Sequence, residues 1–467
     1  MSERGFDAVV IGAGSGGLTV AIGLAGFGRR IALVEGDRVG GECTNTGCIP
    51  SKRLLHLSRH GGNPDDHLRK VRATRDLIRE EELAELAHTP LITLIEGRAV
   101  LDAARRVRVG DTVLGARHVI VATGSRAREV EIPGLPPERT LTNASLFELE
   151  HAPGHLAILG AGAIGLEMAD AFSRMGGRVT IVDVAPRVLP PAPAAASEAL
   201  ARALERRGVT THLGCRVTAY DADARSLALD DGDAGRVVDD VDAVLVAVGR
   251  TPNTDWLGLE DAGVVTTPDG IPVDRWGRTN VRGVWAVGDV TPGSRETHAA
   301  NALGRRIVQR IALPWLPPLG APPLIPHAVF TDPEVAWVGL AGDDAGERYR
   351  PDALVTISVP LSGTDRGRTD GLAEGFVEIT AVRLTGRIVG ATVVGPAASE
   401  LIALITLAMN RRTSLLRLSR QVYAYPTFAG VIGRVADEFA RRTLGDLAGE
   451  TRGYLASRFR GPAGRRP

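Results

Sequence analysis

The residues best suited to chemistry are two cysteines, Cys43 and Cys48, in the run Gly-Gly-Glu-Cys-Thr-Asn-Thr-Gly-Cys-Ile-Pro-Ser-Lys. The chain has 467 residues and 3 cysteines, and the third, Cys215, is distant in the sequence. A close pair in a chain that otherwise avoids thiols indicates redox chemistry, because compartments that keep thiols reduced rarely use structural disulfides. A zinc site is the alternative, but the sequence offers no second cysteine pair. Cys215 is expected to be an inert, packed thiol.

A lysine follows the cysteine pair. The chain contains 55 Lys and Arg residues, and only Lys52 and Lys70 are lysines. A lysine retained at Lys52 suggests a position that needs a compact ammonium group instead of a planar guanidinium. The alternative is an ordinary surface lysine.

The segment before the cysteines has the pattern of a nucleotide-binding unit. Residues 6–11 predict a buried parallel strand, and a second strand over 31–34 ends on Glu35. Between them a glycine-rich turn allows close approach of a phosphate, the start of the next helix attracts the pyrophosphate, and the acid accepts ribose hydroxyls. The turn glycines are Gly12, Gly14 and Gly17.

The same pattern returns later at one constant spacing. Strands over 156–159 and 179–182 enclose a second glycine turn, and the latter strand ends on Asp183. Chance does not preserve such a register, so we expect two nucleotide-binding units, one for each of two dinucleotides. The second set of turn glycines is Gly160, Gly162 and Gly165.

Later segments predict the remaining architecture. An apolar strand over 283–288 runs into Asp289 and is expected to return to the first unit. Alternating segments predict an antiparallel sheet, residues 399–409 predict a helix, and the arginine-rich residues 458–467 predict a frayed end. The segments of the predicted sheet are 353–359, 376–380 and 388–394.

Composition excludes several classes of function. The formal net charge is zero, with 44% hydrophobic and 24% charged residues, which is typical of a globular protein and gives no reason to expect nucleic acid or a membrane as a partner. No apolar run approaches the roughly 18 residues of a membrane span. The first residues do not resemble a signal peptide, so we expect a cytoplasmic location.

Further motifs give the chain a family resemblance. They are Ala122-Thr123-Gly124, the Gly-Arg-Thr-Pro-Asn run that begins at Gly249, Gly288-Asp289, and the Phe-Thr-Asp-Pro-Glu-Val-Ala run that begins at Phe330. Together with the cysteine segment and in the same order, they resemble the class I pyridine nucleotide–disulfide oxidoreductases over residues 6–439. The resemblance implies an α/β fold with two Rossmann-like dinucleotide-binding domains and a C-terminal α+β dimerisation domain.

The resemblance also implies domain boundaries and partners. It implies a homodimer whose active site is shared across the interface, acting on a small-molecule acceptor. The predicted domains are an FAD-binding domain over 1–148, an NAD(P)-binding domain over 149–272, a return segment of the FAD domain over 273–322, a dimerisation domain over 323–450 and a basic tail over 451–467.

The resemblance assigns roles to the site residues. It implies that Cys48 lies against the flavin as the charge-transfer thiolate, with its pKa lowered by the dipole of a helix led by Pro50, and that Cys43 is the interchange thiol. Lys52 would lie near the flavin, paired with Glu167. FAD and NAD, with NADP possible, are the implied cofactors. The implied cofactor-binding residues are Gly12, Gly14, Gly17, Glu35, Thr123, Gly124, Asp289 and Thr297 for FAD, and Gly160, Gly162, Gly165, Asp183 and Gly249 for the nicotinamide nucleotide; no metal site is implied.

The chain departs from the family in its C-terminal domain. Members that act on disulfides and dithiols carry a His-Pro-Thr segment followed by a glutamate, and this His–Glu dyad protonates the departing thiolate. Here Tyr425 replaces the histidine and Gly430 replaces the glutamate. A tyrosine with a pKa of about 10 is a poor acid for a thiolate, so we expect slow turnover of ordinary dithiols and disulfides. No cysteine follows Cys215, which excludes mercury delivery by a C-terminal cysteine pair.

Three hypotheses follow for function. The leading one is an FAD-dependent NAD(P)H oxidoreductase that passes electrons through a Cys43–Cys48 disulfide to a small disulfide or other sulfur compound, a metal ion, a quinone or an oxidant. The second is a tailoring enzyme that acts on a carbon–sulfur or disulfide bond. The third is a redox-sensing flavoprotein without useful turnover.

The acid that ends the second nucleotide unit predicts the electron donor. Asp183 accepts ribose hydroxyls and repels a 2′-phosphate, and no arginine pair replaces it, although Arg187 follows closely. We expect NADH to reduce the flavin faster than NADPH does at equal concentration, as measured by stopped-flow absorbance. Faster reduction by NADPH would contradict this assignment.

Overall fold

The computed structural model describes residues 4–103, 105–232, 235–317, 322–340 and 349–459. The chain forms two compact units. Most of the predicted tail, 458–467, lies outside the described residues, and the finer domain boundaries stay predictions. Unit 1 comprises Met1–Leu156, Ala219–Arg225 and Asp240–Pro322, and unit 2 comprises Ala157–Thr218, Ser226–Asp239 and Pro323–Pro467.

Unit 1 is built on a seven-stranded sheet. The strand Arg4–Ile11 lies parallel to both of its neighbours, Ile31–Glu35 and Thr112–Val121. Val284–Ala286 pairs in parallel with Thr112–Val121, which confirms that the later segment returns to this sheet. Beyond Thr112–Val121 the sheet becomes antiparallel. The path of six strands runs Ile92–Glu96, Ile31–Glu35, Arg4–Ile11, Thr112–Val121, Arg106–Val109 and Ala99–Ala103.

Both faces of this sheet are buried, as expected for parallel strands covered on two sides. Along the central strand, Ala8 and Val10 belong to one apolar core, whereas Val9 and Ile11 belong to another. Two short strand pairs complete the unit: Ser125–Ala127 with Arg250–Pro252, and Thr140–Leu141 with Ala243–Val246. The helices are Ser15–Gly26, Gly41–Asn45, Cys48–Ser58, Pro64–Ala87, Asn143–Leu146 and Thr297–Ala312, with the 3-10 turn Pro137–Arg139.

Unit 2 begins with the second glycine turn. The strand Arg178–Asp183 lies parallel to Thr210–Leu213, and Ser226–Asp230 pairs antiparallel with Arg236–Val238. The division between the two units falls within two strands, His155–Leu159 and Arg216–Asp221. The helices of this part are Ala163–Arg174 and Ala194–Arg206.

The C-terminal part of unit 2 contains the predicted antiparallel sheet. Three of its strands coincide with the alternating segments expected from the sequence, which confirms that prediction. Helices Ala398–Asn410 and Gly430–Gly445 pack on it through one apolar core. The strand order is His327–Val329, Glu334–Gly339, Ile388–Gly395, Phe376–Val382 and Leu354–Pro360. The other helical segments are Asp365–Thr369, Leu415–Leu418 and Leu447–Phe459, with the 3-10 turns Pro351–Ala353 and Leu361–Gly363.

A buried ion cluster holds unit 2 together. Asp170 is 0% exposed and lies 3.2 Å from the Arg174 Nε and 3.0 Å from an Arg207 guanidinium nitrogen. The backbone N–H of Asp332 also donates to Asp170, at 3.2 Å. Burial lowers the pKa of Arg207, and the Asp170 charge opposes that effect. The cluster therefore joins the helix after the second glycine turn to the loop between the first two strands of the C-terminal sheet.

Among the described helices, none combines the length and the apolarity that a membrane crossing requires.

We predict that Asp170→Asn lowers the free energy of unfolding of the protein by about 3 kcal/mol, because it removes the buried one of the two carboxylates that pair with Arg174 and Arg207 and leaves only the half-exposed Asp332. Glu374→Gln is the matched control, since Glu374 pairs with Arg206 at an exposed site where a salt bridge is worth less than about 1 kcal/mol. Urea denaturation followed by circular dichroism measures both. Equal losses of unfolding free energy in the two variants would show that the buried cluster contributes no more stability than an exposed salt bridge.

Candidate active site

The two glycine turns share one geometry. A Cβ on Gly17 would lie 1.9 Å from the Gly12 carbonyl oxygen, and one on Gly165 would lie 2.0 Å from the Gly160 carbonyl oxygen. No larger residue fits at either position, so both turns keep the tight form that lets a phosphate approach the backbone. The turns in units 1 and 2 therefore fit dinucleotides, as predicted.

The predicted ribose-binding acids are fixed by backbone hydrogen bonds in both turns. Glu35 accepts from the N–H groups of Ala13 at 2.7 Å and Asp37 at 2.8 Å. Asp183 accepts from the N–H groups of Ala161 at 2.5 Å and Ala185 at 2.7 Å. Each carboxylate is thus held at the mouth of its glycine turn.

The arginine nearest the second turn is already engaged. One Arg187 guanidinium nitrogen donates to the carbonyl of Ala192 at 2.7 Å and to the Ser197 hydroxyl at 3.0 Å. The other donates to the Pro190 carbonyl at 2.6 Å. Arg187 is the arginine near Asp183 that could have favoured a 2′-phosphate, and these contacts already use its guanidinium.

The cysteine segment packs directly on the first glycine turn. Gly40 donates its N–H to the Ala13 carbonyl at 2.9 Å, and Gly14 forms a parallel bridge with Gly40. Cys43 lies on the short helix Gly41–Asn45 that follows. The turn and the thiols therefore form one continuous site in unit 1.

Three helix starts surround the two thiols. Cys48 is the first residue of its helix, two positions before the expected leading residue, Pro50. The Cys48 sulfur lies 3.4 Å from the Thr297 hydroxyl, and Thr297 begins another helix. The Cys43 thiol hydrogen-bonds to Thr297 and to Ser15, the first residue of the helix after the glycine turn. Helix N-termini carry partial positive charge, so this arrangement favours a thiolate.

Cys43 and Cys48 are not joined by a disulfide, and their side chains share a hydrogen bond. A hydrogen bond that the Cys43 S–H donates to Cys48, together with burial, raises the pKa of Cys43 well above its usual value, whereas the hydrogen bonds with Thr297 and Ser15 oppose that rise. Cys43 therefore keeps its proton at neutral pH in the reduced pair. The expectation that Cys48 carries the thiolate charge stays a prediction.

The remaining predicted residues of unit 1 have contacts of their own. Lys52 follows Cys48 by four positions on the same helix, and residues at that spacing share a helix face. Thr123 donates its hydroxyl to the Asn253 carbonyl at 2.7 Å, and Asp289 accepts from the Ser125 hydroxyl at 2.7 Å. Gly124 and Gly249 both have positive φ, at 68° and 119°.

Two further predicted residues, besides those of the second glycine turn and Asp183, belong to unit 2. Glu167 is 4% exposed and accepts from the Phe330 N–H at 3.1 Å. Tyr425 is 80% exposed, next to the fully exposed Val422. The pairing of Glu167 with Lys52 and the approach of Tyr425 to a thiol stay predictions.

The sequence did not single out several residues that contact the site. Ser15 was hidden inside the glycine signature, and Arg250 inside a family motif. Glu42 and Asn143 hydrogen-bond to each other beside the cysteines, although they are far apart in the chain. The one sequence feature that could have indicated this contact is the acid, Glu42, immediately before Cys43.

The third cysteine, Cys215, is buried. Cys215 is 3% exposed, just after the strand Thr210–Leu213, and its thiol contacts the Leu213 carbonyl at 3.4 Å. Within the described ranges, no three His, Cys, Asp or Glu side chains are grouped to hold a metal ion.

We predict that Cys48→Ala lowers the pKa of Cys43, because the partner that raises it most is removed. Alkylation of Cys43 by iodoacetamide at pH 8 should accelerate about tenfold, which corresponds to one pKa unit in thiolate fraction. The pH profile of the rate, followed by mass spectrometry in a Cys215→Ser background, measures the effect. An unchanged midpoint would contradict the inferred coupling of the two thiols.

Comparison with known proteins agrees with this geometry. The sequence profile of the pyridine nucleotide-disulphide oxidoreductases matches residues 6–304, and that of their dimerisation domain matches residues 325–436. Dihydrolipoyl dehydrogenase 3 of Pseudomonas aeruginosa is 33% identical over 94% of this chain and 99% of its own. A dihydrolipoyl dehydrogenase of Chlorobaculum tepidum is 34% identical over 92% and 96%.

A solved structure gives the same picture. The Cu(II) complex of the HOCl-induced flavoprotein disulfide reductase RclA from Escherichia coli superposes with a TM-score of 0.85 and 27% identity, covering 94% of this chain and all of that one. The match to a dimerisation domain supports a homodimer. The chain belongs to the class I pyridine nucleotide–disulfide oxidoreductases, flavoproteins that use FAD and NAD(P)H.

Proposed function

We propose that this protein oxidises NADH and passes the electrons through FAD to Cys43 and Cys48, and then to a metal ion. Bound FAD supplies a carrier that accepts two electrons as hydride and releases them to sulfur. The observation that supports this best is the position of the thiol pair, which lies against the first glycine turn among three helix starts. We also propose a cytoplasmic location.

Each side chain has a proposed role. Cys48 holds the negative charge of the reduced pair, as the raised pKa of Cys43 and its place at a helix start favour. Cys43 transfers electrons to the acceptor. Glu35 and Asp289 hold FAD, and Asp183 holds the nicotinamide nucleotide. Lys52 and Glu167 are proposed to meet near the flavin.

A metal ion fits the departures in the C-terminal domain. Reducing a disulfide requires a proton for the leaving thiolate, and the His–Glu dyad that supplies it in the family is replaced by Tyr425 and Gly430. Two Cu(II) ions can take two electrons from the Cys43–Cys48 dithiol, which gives two Cu(I), one disulfide and two released protons. No acid is needed. The related RclA structure is a Cu(II) complex, which makes copper the first ion to test.

The acceptor can be tested directly. Anaerobic protein with NADH is mixed separately with Cu(II), lipoamide, glutathione disulfide and a quinone, and NADH loss and chelator-trapped Cu(I) are recorded against protein-free blanks. We expect turnover with Cu(II) that falls at least tenfold in Cys43→Ser, while NADH still reduces the flavin. Equal copper turnover in the unmodified protein and in Cys43→Ser would show that the thiols do not carry electrons to copper. No turnover with any acceptor would favour the redox-sensing hypothesis. Turnover of a carbon–sulfur compound instead would favour a tailoring enzyme.

We propose that the site is shared across a homodimer. The segment with Val422 and Tyr425 is exposed on unit 2, at 98% and 80%, and the dimerisation profile covers it. An exposed aromatic side chain in such a segment is suited to a contact with a second subunit. Tyr425 would then approach the thiols of the partner as a hydrogen-bond donor.

We predict that Tyr425→His combined with Gly430→Glu accelerates NADH-dependent lipoamide turnover. General acid–base help is typically worth 10²–10⁴-fold, and we expect the double variant to recover at least about tenfold. Steady-state NADH assays measure it, with Tyr425→His alone as the control that lacks the orienting carboxylate. Fast lipoamide turnover by the unmodified protein would show that another residue supplies the proton.

A further inference from the structure

A network of charged and polar side chains holds the residue that precedes Cys43. The Glu42 carboxylate accepts hydrogen bonds from the Arg250 guanidinium and from the Asn143 amide. Asn143 is 8% exposed and also donates to the Thr46 carbonyl at 3.2 Å. Since Glu42 and Thr46 lie on either side of Cys43 in the chain, Asn143 bridges both ends of the segment that carries this thiol.

Arg250 extends the network to a second carboxylate. Its Nε donates to the Ser125 hydroxyl at 2.8 Å, and its Nη2 donates to the Ser125 carbonyl at 3.1 Å. The same Nε lies 3.4 Å from Asp289, which accepts from the Ser125 hydroxyl at 2.7 Å. The Arg250 side chain, 14% exposed, therefore pairs with two acids: Glu42, which precedes Cys43, and Asp289, which is proposed to hold FAD.

The network contains fewer positive than negative groups. One arginine faces two carboxylates, and partial burial weakens the screening of their charges. Burial raises the pKa of Glu42, whereas Arg250 opposes that rise. Neutralising the acid shifts the local charge by one positive unit, and neutralising the arginine shifts it by one negative unit.

We propose that Glu42, held by Arg250, is a positioning residue that sets how readily the Cys43 thiol ionises and how readily the Cys43–Cys48 disulfide is reduced. Reduction adds two electrons and one proton to the disulfide and leaves one thiol and one thiolate. Glu42 is the chain neighbour of Cys43, so the stability of the new negative charge on the thiol pair depends on the net charge of the network. The proposal rests on the proposed function for its role in turnover, whereas the thiol chemistry can be measured without NADH.

The first test measures the thiol itself. FAD-loaded protein in a Cys215→Ser background is reduced with dithiothreitol, freed of excess reagent and alkylated with iodoacetamide at pH 7, and Cys43 is followed by mass spectrometry. We expect Glu42→Gln to react about tenfold faster and Arg250→Gln about tenfold slower, which is one pKa unit in opposite directions. The double variant restores the net charge and should lie within about twofold of the parent.

The second test measures the disulfide. In dithiothreitol redox buffers, the tenfold changes correspond to a midpoint raised by about 30 mV in Glu42→Gln and lowered by about 30 mV in Arg250→Gln. Asp255→Asn and Arg126→Gln form the matched control pair, since these two side chains make a 2.7 Å ion pair at an exposed place in the same unit. Neither control should move the midpoint or the alkylation rate measurably.

Shifts in the same direction in both single variants would show that the network acts only by keeping the segment rigid, and would overturn the proposal. Absence of any shift would overturn it as well. If Arg250→Gln does not fold, Arg250→Lys replaces it: it keeps the charge, so the rate should stay within about threefold of the parent, and a tenfold fall would contradict the charge argument. Failure of the proposed function would appear differently, as unmodified protein whose disulfide NADH does not reduce while these thiol measurements stay intact.

Discussion

The site depends on the hydrogen bonding of two thiols at the starts of helices in unit 1. Cys43 and Cys48 share a hydrogen bond, and Thr297 and Ser15 supply further bonds from two other helix starts. A reduced pair must place a negative charge on sulfur, and a partly buried sulfur tolerates that charge only where donors and dipoles compensate it. The arrangement meets that need with hydroxyl side chains and helix ends.

The same constraint explains why the sheet of unit 1 has its particular connections. The first strand delivers the glycine turn, whose helix start brings Ser15 to Cys43. The strand Val284–Ala286 returns to the sheet, and the chain continues to the helix that begins at Thr297. Without that return, neither thiol would have its threonine partner. The parallel sheet thus places at one edge groups that lie in three separate parts of the chain.

In the proposed function, the departures in unit 2 limit which reactions the thiols can serve. The unit keeps the buried ion cluster around Asp170 and the apolar core under its C-terminal sheet, so the fold is intact where the acid–base pair is lost. Tyr425 retains a hydroxyl at an exposed position but cannot carry a positive charge. An acceptor that needs electrons and no proton is compatible with this change. In the proposed function, loss of the dyad limits which electron acceptors the thiols can reduce, and the path of electrons into the thiols is unaffected.

The sequence by itself determined the elements that depend on local pattern. Glycine spacing specified both turns, apolar runs specified the strands, and the isolated pair Cys43 and Cys48 specified the chemistry, because these signals arise from neighbouring residues. Tertiary structure decided the contacts between distant segments, such as Arg250 with Glu42 and Asp289, and the helix start at Cys48 rather than at the expected Pro50. Such contacts depend on how the strands pair, and no periodicity in the chain records which polar side chains will meet once the sheet has formed.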